Sequence, residues 1–140
     1  MTLTLDVARA AIRATFDAGA EAGLKPLSAI VLDAGGHVLA FERQDGASPG
    51  RFAIAHGKAY GAVMLGMPGS AQMQRAEEQH YFMTAANGAF GGAVIPVPGG
   101  ILISEAGAVI GALGVTGDTS DNDAAAGMKG LEAAGLTGAA

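Results

Sequence analysis

Residues 96–117 read PVPGGILISEAGAVIGALGVTG. This run predicts a glycine turn, a strand, a short hairpin loop and a second strand rich in valine, isoleucine and leucine. Gly99 and Gly100 can adopt backbone angles that other residues avoid, while Gly111 and Gly114 leave gaps in the second strand. Such gaps let either a packed helix or a flat ligand approach the backbone. We expect the other elements to cover this hairpin.

A helix is predicted directly after the hairpin, from Asp121 to about Ala134. Ser120 and Asp123 have the spacing of a capping box, with Ser120 as the N-cap residue. Acidic residues are also favoured at the positive end of a helix. The residues beyond the helix, 136–140, are expected to fray, because chain ends are poorly ordered unless something holds them.

The chain before the hairpin predicts three helices and a second, shorter hairpin. Thr4 is a suitable N-cap for the first helix, and Ser48 followed by Pro49 is a strong start for the second helix. Residues 80–95 are rich in glycine and alanine with little periodicity, so we expect a loop there. The predicted elements are helices over residues 4–22, 49–66 and 70–79, and strands over residues 27–33 and 37–43.

This order of elements predicts an α/β fold of the α+β sandwich type, in which helices flank a mainly antiparallel sheet. A length of 140 residues suits a single domain over residues 1–140. The chain has no cysteine, which excludes disulfide bonds, thiolate metal sites and a cysteine nucleophile. A net charge of −5 without a cluster of lysine or arginine argues against nucleic acid as a partner.

The composition also predicts a homo-oligomer. Charged residues make up 15% of the chain and hydrophobic residues 50%, whereas soluble domains have roughly 25% charged residues. A surface so short of charge suggests that other copies of the chain cover part of it. The first residues lack the features of a secretion leader, and no apolar run is long enough to span a membrane. We therefore expect a cytoplasmic protein without membrane partners.

The second predicted helix carries the sharpest functional candidate. Phe52, His56 and Tyr60 recur at intervals of four residues and therefore share one face of the helix. Imidazole can move a proton or bind haem iron or another metal, although a histidine on an apolar face is often a core or interface residue. Lys58 lies about 200° round the helix from His56. It either binds an anion or pairs with Asp45 or with a carboxylate across an interface.

Three blocks of sequence match one known family in its own order and span almost the whole chain. They are Asp33-x-Gly35 with Arg43-x-Asp45-Gly46-Ala47; Ile54-Ala55-x-x-Lys58-Ala59-x-x-Ala62; and Pro98-Gly99-Gly100 followed by Gly107, residues 110–117 and Asp121-Asn122-Asp123. The chain thereby resembles the GlcG/HbpS-like family, also called the haem-degrading-domain family. The resemblance implies a profilin-like architecture, assembly into dimers or larger even-numbered oligomers, and the haem binding known for some members.

The first of two candidate functions is that of a binding module for haem or another planar small molecule. The ligand would lie between the aromatic face of the second helix and the turn formed by Gly99 and Gly100. If haem is the cofactor, His56 or His80 would bind its iron. Tyr81 would contribute a further aromatic contact to the ligand.

The second candidate is a cofactor-independent enzyme, such as a lyase, isomerase or hydratase acting on a metabolite with a carboxylate or phenol. His56 would move the proton as a general acid or base, assisted by Tyr60. Arg51 or Lys58, together with the amides of residues 99–100, would hold the developing negative charge. A third alternative is an oligomeric accessory protein without a site. The sequence leaves the choice between catalysis and binding open.

Overall fold

The computed structural model describes residues 3–140. Within this range the chain forms five helices and five strands. They are α1 (Leu5–Glu21), β1 (Ser28–Asp33), β2 (Val38–Arg43), α2 (Arg51–Leu65), α3 (Gly69–Glu78), α4 (His80–Ala89), β3 (Gly100–Glu105), β4 (Ala108–Thr116), α5 (Ser120–Ala133) and β5 (Thr137–Ala139). None of the helices in the described range has both the length and the apolar character needed to cross a membrane.

The strands form one five-stranded sheet in the order β2-β1-β4-β3-β5. Every neighbouring pair is antiparallel. The two hairpins, β1–β2 and β3–β4, meet where β1 pairs with β4, and Ile30 lies opposite Gly114 at that junction. The predicted mixed α/β class with an antiparallel sheet is confirmed.

Helices cover both faces of the sheet, and alternate residues of the strands point to opposite faces. Ala29 and Val31 of β1 face a cluster built with α1 and α5, to which Ile12, Leu113 and Leu131 also belong. The intervening residues of β1 face α2 and pack with a cluster of smaller side chains on the other side: Ile30, Leu32, Ala55, Ala59, Ala62, Leu102 and Ala112.

Helix α2 lies directly against the backbone of the central hairpin. A Cβ atom at Gly114 would collide with the carbonyl oxygen of Ala55 and contact Ala59, and a Cβ atom at Gly100 would collide with the carbonyl oxygen of Lys58. Glycine is needed at both positions because no side chain fits between the helix and the strands. The sequence predicted that either a helix or a ligand lies against the glycines of the hairpin, and in the structure helix α2 lies against Gly114.

Two segments are more ordered than the sequence indicated. The loop expected over residues 80–95 is wrong for its first part, which forms α4. This helix buries only Met83, so it shows little of the apolar periodicity that predicts a helix. The frayed end expected at residues 136–140 is also wrong, because β5 pairs with β3 and the hydroxyl of Ser70 donates to the carbonyl oxygen of Ala140.

The predicted helix starts are right for α1 and shifted for the other three predicted helices, of which α3 begins at Gly69, before its predicted start. The hydroxyl of Thr4 caps α1 by accepting the N–H of Val7. In α5 the cap is Thr119, whose hydroxyl accepts the N–H of Asn122, so the capping box assigned to Ser120 is wrong. Helix α2 begins after residue 50, slightly later than the predicted serine–proline start.

The close packing of α2 predicts that Gly114→Ala lowers the free energy of unfolding by about 1–3 kcal/mol, because either the helix or β4 must shift to admit the methyl group. Chemical denaturation followed by circular dichroism measures this change. The matched control is Gly88→Ala in α4, where a Cβ atom has nothing within 4 Å. That variant should be neutral or more stable by up to about 1 kcal/mol. Equal effects of the two substitutions would contradict the packing argument.

Candidate functional site

A row of five rings runs along the outer side of α2. Phe52, His56 and Tyr60 come from the helix itself, where a spacing of four residues places them one above the other. Phe41 from β2 packs on one end of the row, and Phe90, which follows α4, packs on the other end. We call these five residues the aromatic row.

The three rings of the helix are nearly parallel, and the rings at the ends hold them in place. His56 lies 6.0 Å from Phe52 and 5.2 Å from Tyr60 between ring centroids, with an angle of 19° between planes in both pairs. Phe41 and Phe90 meet the row edge to face, at 4.9 and 6.2 Å. Both arrangements are favourable for aromatic rings. The imidazole is therefore held between two rings in a defined orientation.

The aromatic row faces outward. Phe52 is 45% exposed, and His56 and Tyr60 are half-buried. A half-exposed imidazole between aromatic rings can bind a metal that the ligand brings with it, or can exchange a proton with the ligand. No group of three or more histidine, aspartate or glutamate side chains suited to a bare metal ion occurs within residues 3–140.

The opposite side of α2 carries a buried ion pair. The ammonium group of Lys58 donates to Asp123 Oδ2 at 3.2 Å and to the carbonyl oxygen of Val115 at 3.0 Å. Lys58 is 3% exposed and Asp123 is 1% exposed. The pairing expected with Asp45 or with a carboxylate across an interface is therefore wrong, since α5 of the same chain supplies the partner.

Burial works against both charges of this pair. It lowers the pKa of Lys58 and raises the pKa of Asp123, and the attraction between the two groups opposes both changes. The other oxygen of Asp123 accepts the N–H of Asp118 at 2.9 Å. Each charged group thus has the hydrogen bonds that a buried charge requires.

The glycine turn belongs to the ion pair and not to the aromatic row. Gly99 has a φ of 113°, and a Cβ atom there would lie 2.9 Å from the Lys58 ammonium nitrogen. Gly100 contacts the backbone of Lys58. The sequence predicted a ligand between the aromatic row and the turn. This prediction is wrong, because the turn lies against Lys58, on the far side of α2 from His56.

Arg51 is held away from the aromatic row. Its Nε donates to Ser48 Oγ at 3.0 Å, and its Nη1 donates to Thr116 Oγ1 at 2.8 Å. The structure thus gathers Arg51, Lys58 and the glycine turn around the end of β4, whereas His56 and Tyr60 stack on the outer side of α2. The anion-holding groups of the proposed enzyme and its proton-moving groups are not brought together.

The two remaining candidates lie on α4. His80 lines a groove of about 240 Å³ together with Met83, Asn87 and Val94, and no member of the aromatic row lines that groove. Tyr81 is 64% exposed, and its ring lies 5.9 Å from the ring of His80. These side chains therefore form a separate surface, and the alternative iron ligand His80 is not part of the aromatic row.

Three residues of this arrangement were not predicted from the sequence: Phe41 and Phe90, which hold the ends of the aromatic row, and Asp123 as the partner of Lys58. The two phenylalanines come from distant elements, so no local spacing indicates them. Asp123 was interpreted as a capping residue. A usable signal existed, because Lys58 shares a face of α2 with the small residues Ala55 and Ala62, and such a face is expected to be buried and to need a partner for its charge.

Comparison with known proteins gives one family and several similar structures. The model of the haem degrading HbpS-like protein family matches residues 3–132. A double mutant of HbpS from Streptomyces reticuli has 29% identity and a TM-score of 0.79, covering 93% of this chain and 85% of that chain. The protein ORFY from Klebsiella pneumoniae has 25% identity and a TM-score of 0.86, covering 96% and 92%.

A third similar structure is a haem complex of PduOC, with 20% identity and a TM-score of 0.86, covering 98% of both chains. At this identity the likeness shows the shared fold. No curated protein matches the chain.

The buried ion pair predicts that Lys58→Met lowers the free energy of unfolding by about 3–5 kcal/mol, because Asp123 is left as an uncompensated buried charge. Adding Asp123→Leu should restore part of the loss, and urea denaturation of the single and double variants measures both steps. The control is Arg13→Met, which breaks an ion pair with Glu42 at 2.7 Å on the surface and should cost less than about 1 kcal/mol. A double variant as unstable as the sum of its single variants would argue against direct coupling.

The loop before α5 predicts a second, pH-dependent effect. The pKa of Asp118 is lowered from 3.8 to about 2, first by the N–H of Lys25 and then by the side-chain amide of Asn122 and the N–H of Thr119. A carboxylate with a lowered pKa adds stability above its unfolded pKa, and this stability is lost as the pH falls through the folded pKa.

We therefore expect Asp118→Asn to be less stable than the wild type near neutral pH. The difference should shrink as the pH falls from about 4 towards about 2, the interval between the two pKa values of Asp118. Thermal unfolding as a function of pH measures it. Asp121→Asn, an exposed change in the first turn of α5, should leave the pH profile unaltered, and a difference that grows at low pH would disprove the assignment.

Proposed function

The chain belongs to the haem degrading HbpS-like family, and on that premise we propose that it is a small-molecule-binding protein whose aromatic row takes haem or another planar ligand. The observation that carries this proposal is the half-exposed imidazole of His56, held between two nearly parallel rings. A flat, largely apolar molecule is the kind of ligand that such a surface favours. The similar structure of PduOC with haem supports the same ligand class.

The residues of the aromatic row fit haem because they include an imidazole without a polar partner among the residues that the structure describes. The contacts of His56 in the described part of the chain are with the rings of Phe52 and Tyr60, without a hydrogen bond or ion pair, so its imidazole could hold the iron. Phe52 and Tyr60 would supply apolar contacts to the bound group. When bound, haem supplies an iron centre that can accept a further ligand and change its oxidation state.

We further propose that a second copy of the chain covers the aromatic row. The row is an exposed surface and not a closed pocket, whereas binding sites bury most of a ligand. Helices α3 and α4 expose further apolar side chains, since Met73, Tyr81 and Phe82 are at least 36% exposed. A homo-oligomer would remove these surfaces from water and place the ligand between two copies.

Binding is favoured over catalysis by where the anion-holding groups lie. The enzyme hypothesis requires His56 close to a donor that stabilises negative charge. Lys58 is already paired with Asp123 and Arg51 is bonded to Thr116. The aromatic row retains only Tyr60 as a polar neighbour of His56, which suits binding of an apolar ligand better than proton transfer to a charged one.

A haemin titration of the purified protein, followed by the Soret band, tests the proposal. The chain has three histidines, His37, His56 and His80, so each can be replaced by alanine in turn. We expect a sharp, saturable shift in the wild type, retained in the variants of His37 and His80. His56→Ala should weaken binding by about tenfold or more, because the axial bond to iron is lost.

The outcome also decides between the two surfaces. Loss of the shift in His80→Ala but not in His56→Ala would place the iron on α4 and reject the aromatic row as the site. Light scattering on the same samples should give a mass of at least two chains of 13.7 kDa each. Phe52→Asp should reduce that mass if a second copy covers the row, because a charge would be buried at the contact.

A further inference from the structure

A small cavity of about 220 Å³ lies beside the first turn of α2, on the side away from the aromatic row. Its lining includes Lys25, Ser48, Arg51 and Gly117. Two of these residues carry positive charge, and no carboxylate lines the cavity in the described range. This is unusual in a chain whose net charge is −5.

The guanidinium group of Arg51 is fixed but has no counterion. Both hydrogen-bond partners given above, Ser48 and Thr116, are neutral hydroxyl groups. No carboxylate lies within 4.0 Å of Arg51 among residues 3–140, and its Nη2 has no protein partner there. A half-buried arginine held in one orientation with free donors favours a bidentate contact with an oxyanion.

The carboxylates of Asp118 and Asp123 already have partners, and the positive charge of Lys25 also acts on Asp118. Asp123 is paired with Lys58. Asp118 accepts the N–H groups of Lys25 and Thr119 and the side-chain amide of Asn122. Both acids therefore stabilise the loop around the cavity, and neither is bonded to Arg51. Burial lowers the pKa of Lys58, and the positive charge of the nearby Arg51 lowers it further.

We propose that this cavity binds a small oxyanion, the carboxylate or phosphate group of a metabolite, with Arg51 as its fixed donor and the exposed Lys25 as a second cation. The volume admits a small acidic ligand but not a macrocycle. The site is separate from the aromatic row and does not depend on haem binding. Arg51 was predicted from the sequence to contact a ligand. In the structure it lines the same cavity as Lys25 and lies away from His56.

Titration by ¹H–¹⁵N NMR tests the proposal, with inorganic phosphate and acetate as separate probes and sodium chloride as the control for ionic strength. Saturable shifts are expected at the amides of Gly46 and Gly117, which line the cavity. Saturation by phosphate at the lower concentration would identify a phosphate site, and saturation by acetate at the lower concentration would identify a carboxylate site.

The variants separate a site from general attraction to positive charge. Arg51→Gln should abolish saturation, and Lys25→Gln should weaken binding by about tenfold. Matched controls with the same loss of charge are Arg9→Gln and Lys129→Gln, both exposed on other helices, and neither should change the affinity. If Arg51→Gln fails to fold, the affinity of the Lys25 variant and the location of the shifted amides still test whether the cavity is the binding site. Shifts that do not saturate for either probe, or equal weakening in the controls, would overturn the proposal.

Discussion

The buried ion pair of Lys58 and Asp123 connects elements that pack on opposite faces of the sheet. Lys58 belongs to α2, which covers one face, and Asp123 belongs to α5, which covers the other. The bond between them passes the end of β4, where the carbonyl oxygen of Val115 accepts a second hydrogen bond from the lysine. Since neither charge is tolerated there alone, the two layers of helices are held in one relative position.

The two sides of α2 differ in composition, and the ion pair belongs to the inner side. The inner side is made of small residues that let the helix rest on the glycines of β3 and β4. Its polar groups are all turned towards the end of β4, where they meet Asp123, Thr116 and the glycine turn. The outer side is left with aromatic residues and one imidazole. The two proposed binding sites therefore lie on different sides of one helix.

Much of this arrangement could be predicted from local sequence. Glycine turns, alternating apolar strands and the spacing of Phe52, His56 and Tyr60 are all local patterns, and they gave the sheet, most helices and the centre of the aromatic row. The partner of Lys58 could not be predicted in this way, because Asp123 lies 65 residues further along the chain and its position also suits a helix cap. The helix α4 was missed for a related reason, since a helix that buries one residue lacks apolar periodicity.

The contact of α2 with the sheet has a consequence for how the protein can change during evolution. Positions such as Gly100 and Gly114 have almost no freedom, because any larger residue would push the helix off the strands. The outward residues of α2 are less restricted, because Phe52 is 45% exposed and His56 is half-buried. Variation in homologous chains should therefore concentrate on the outer side of this helix, so that new ligand preferences can arise while the scaffold stays the same.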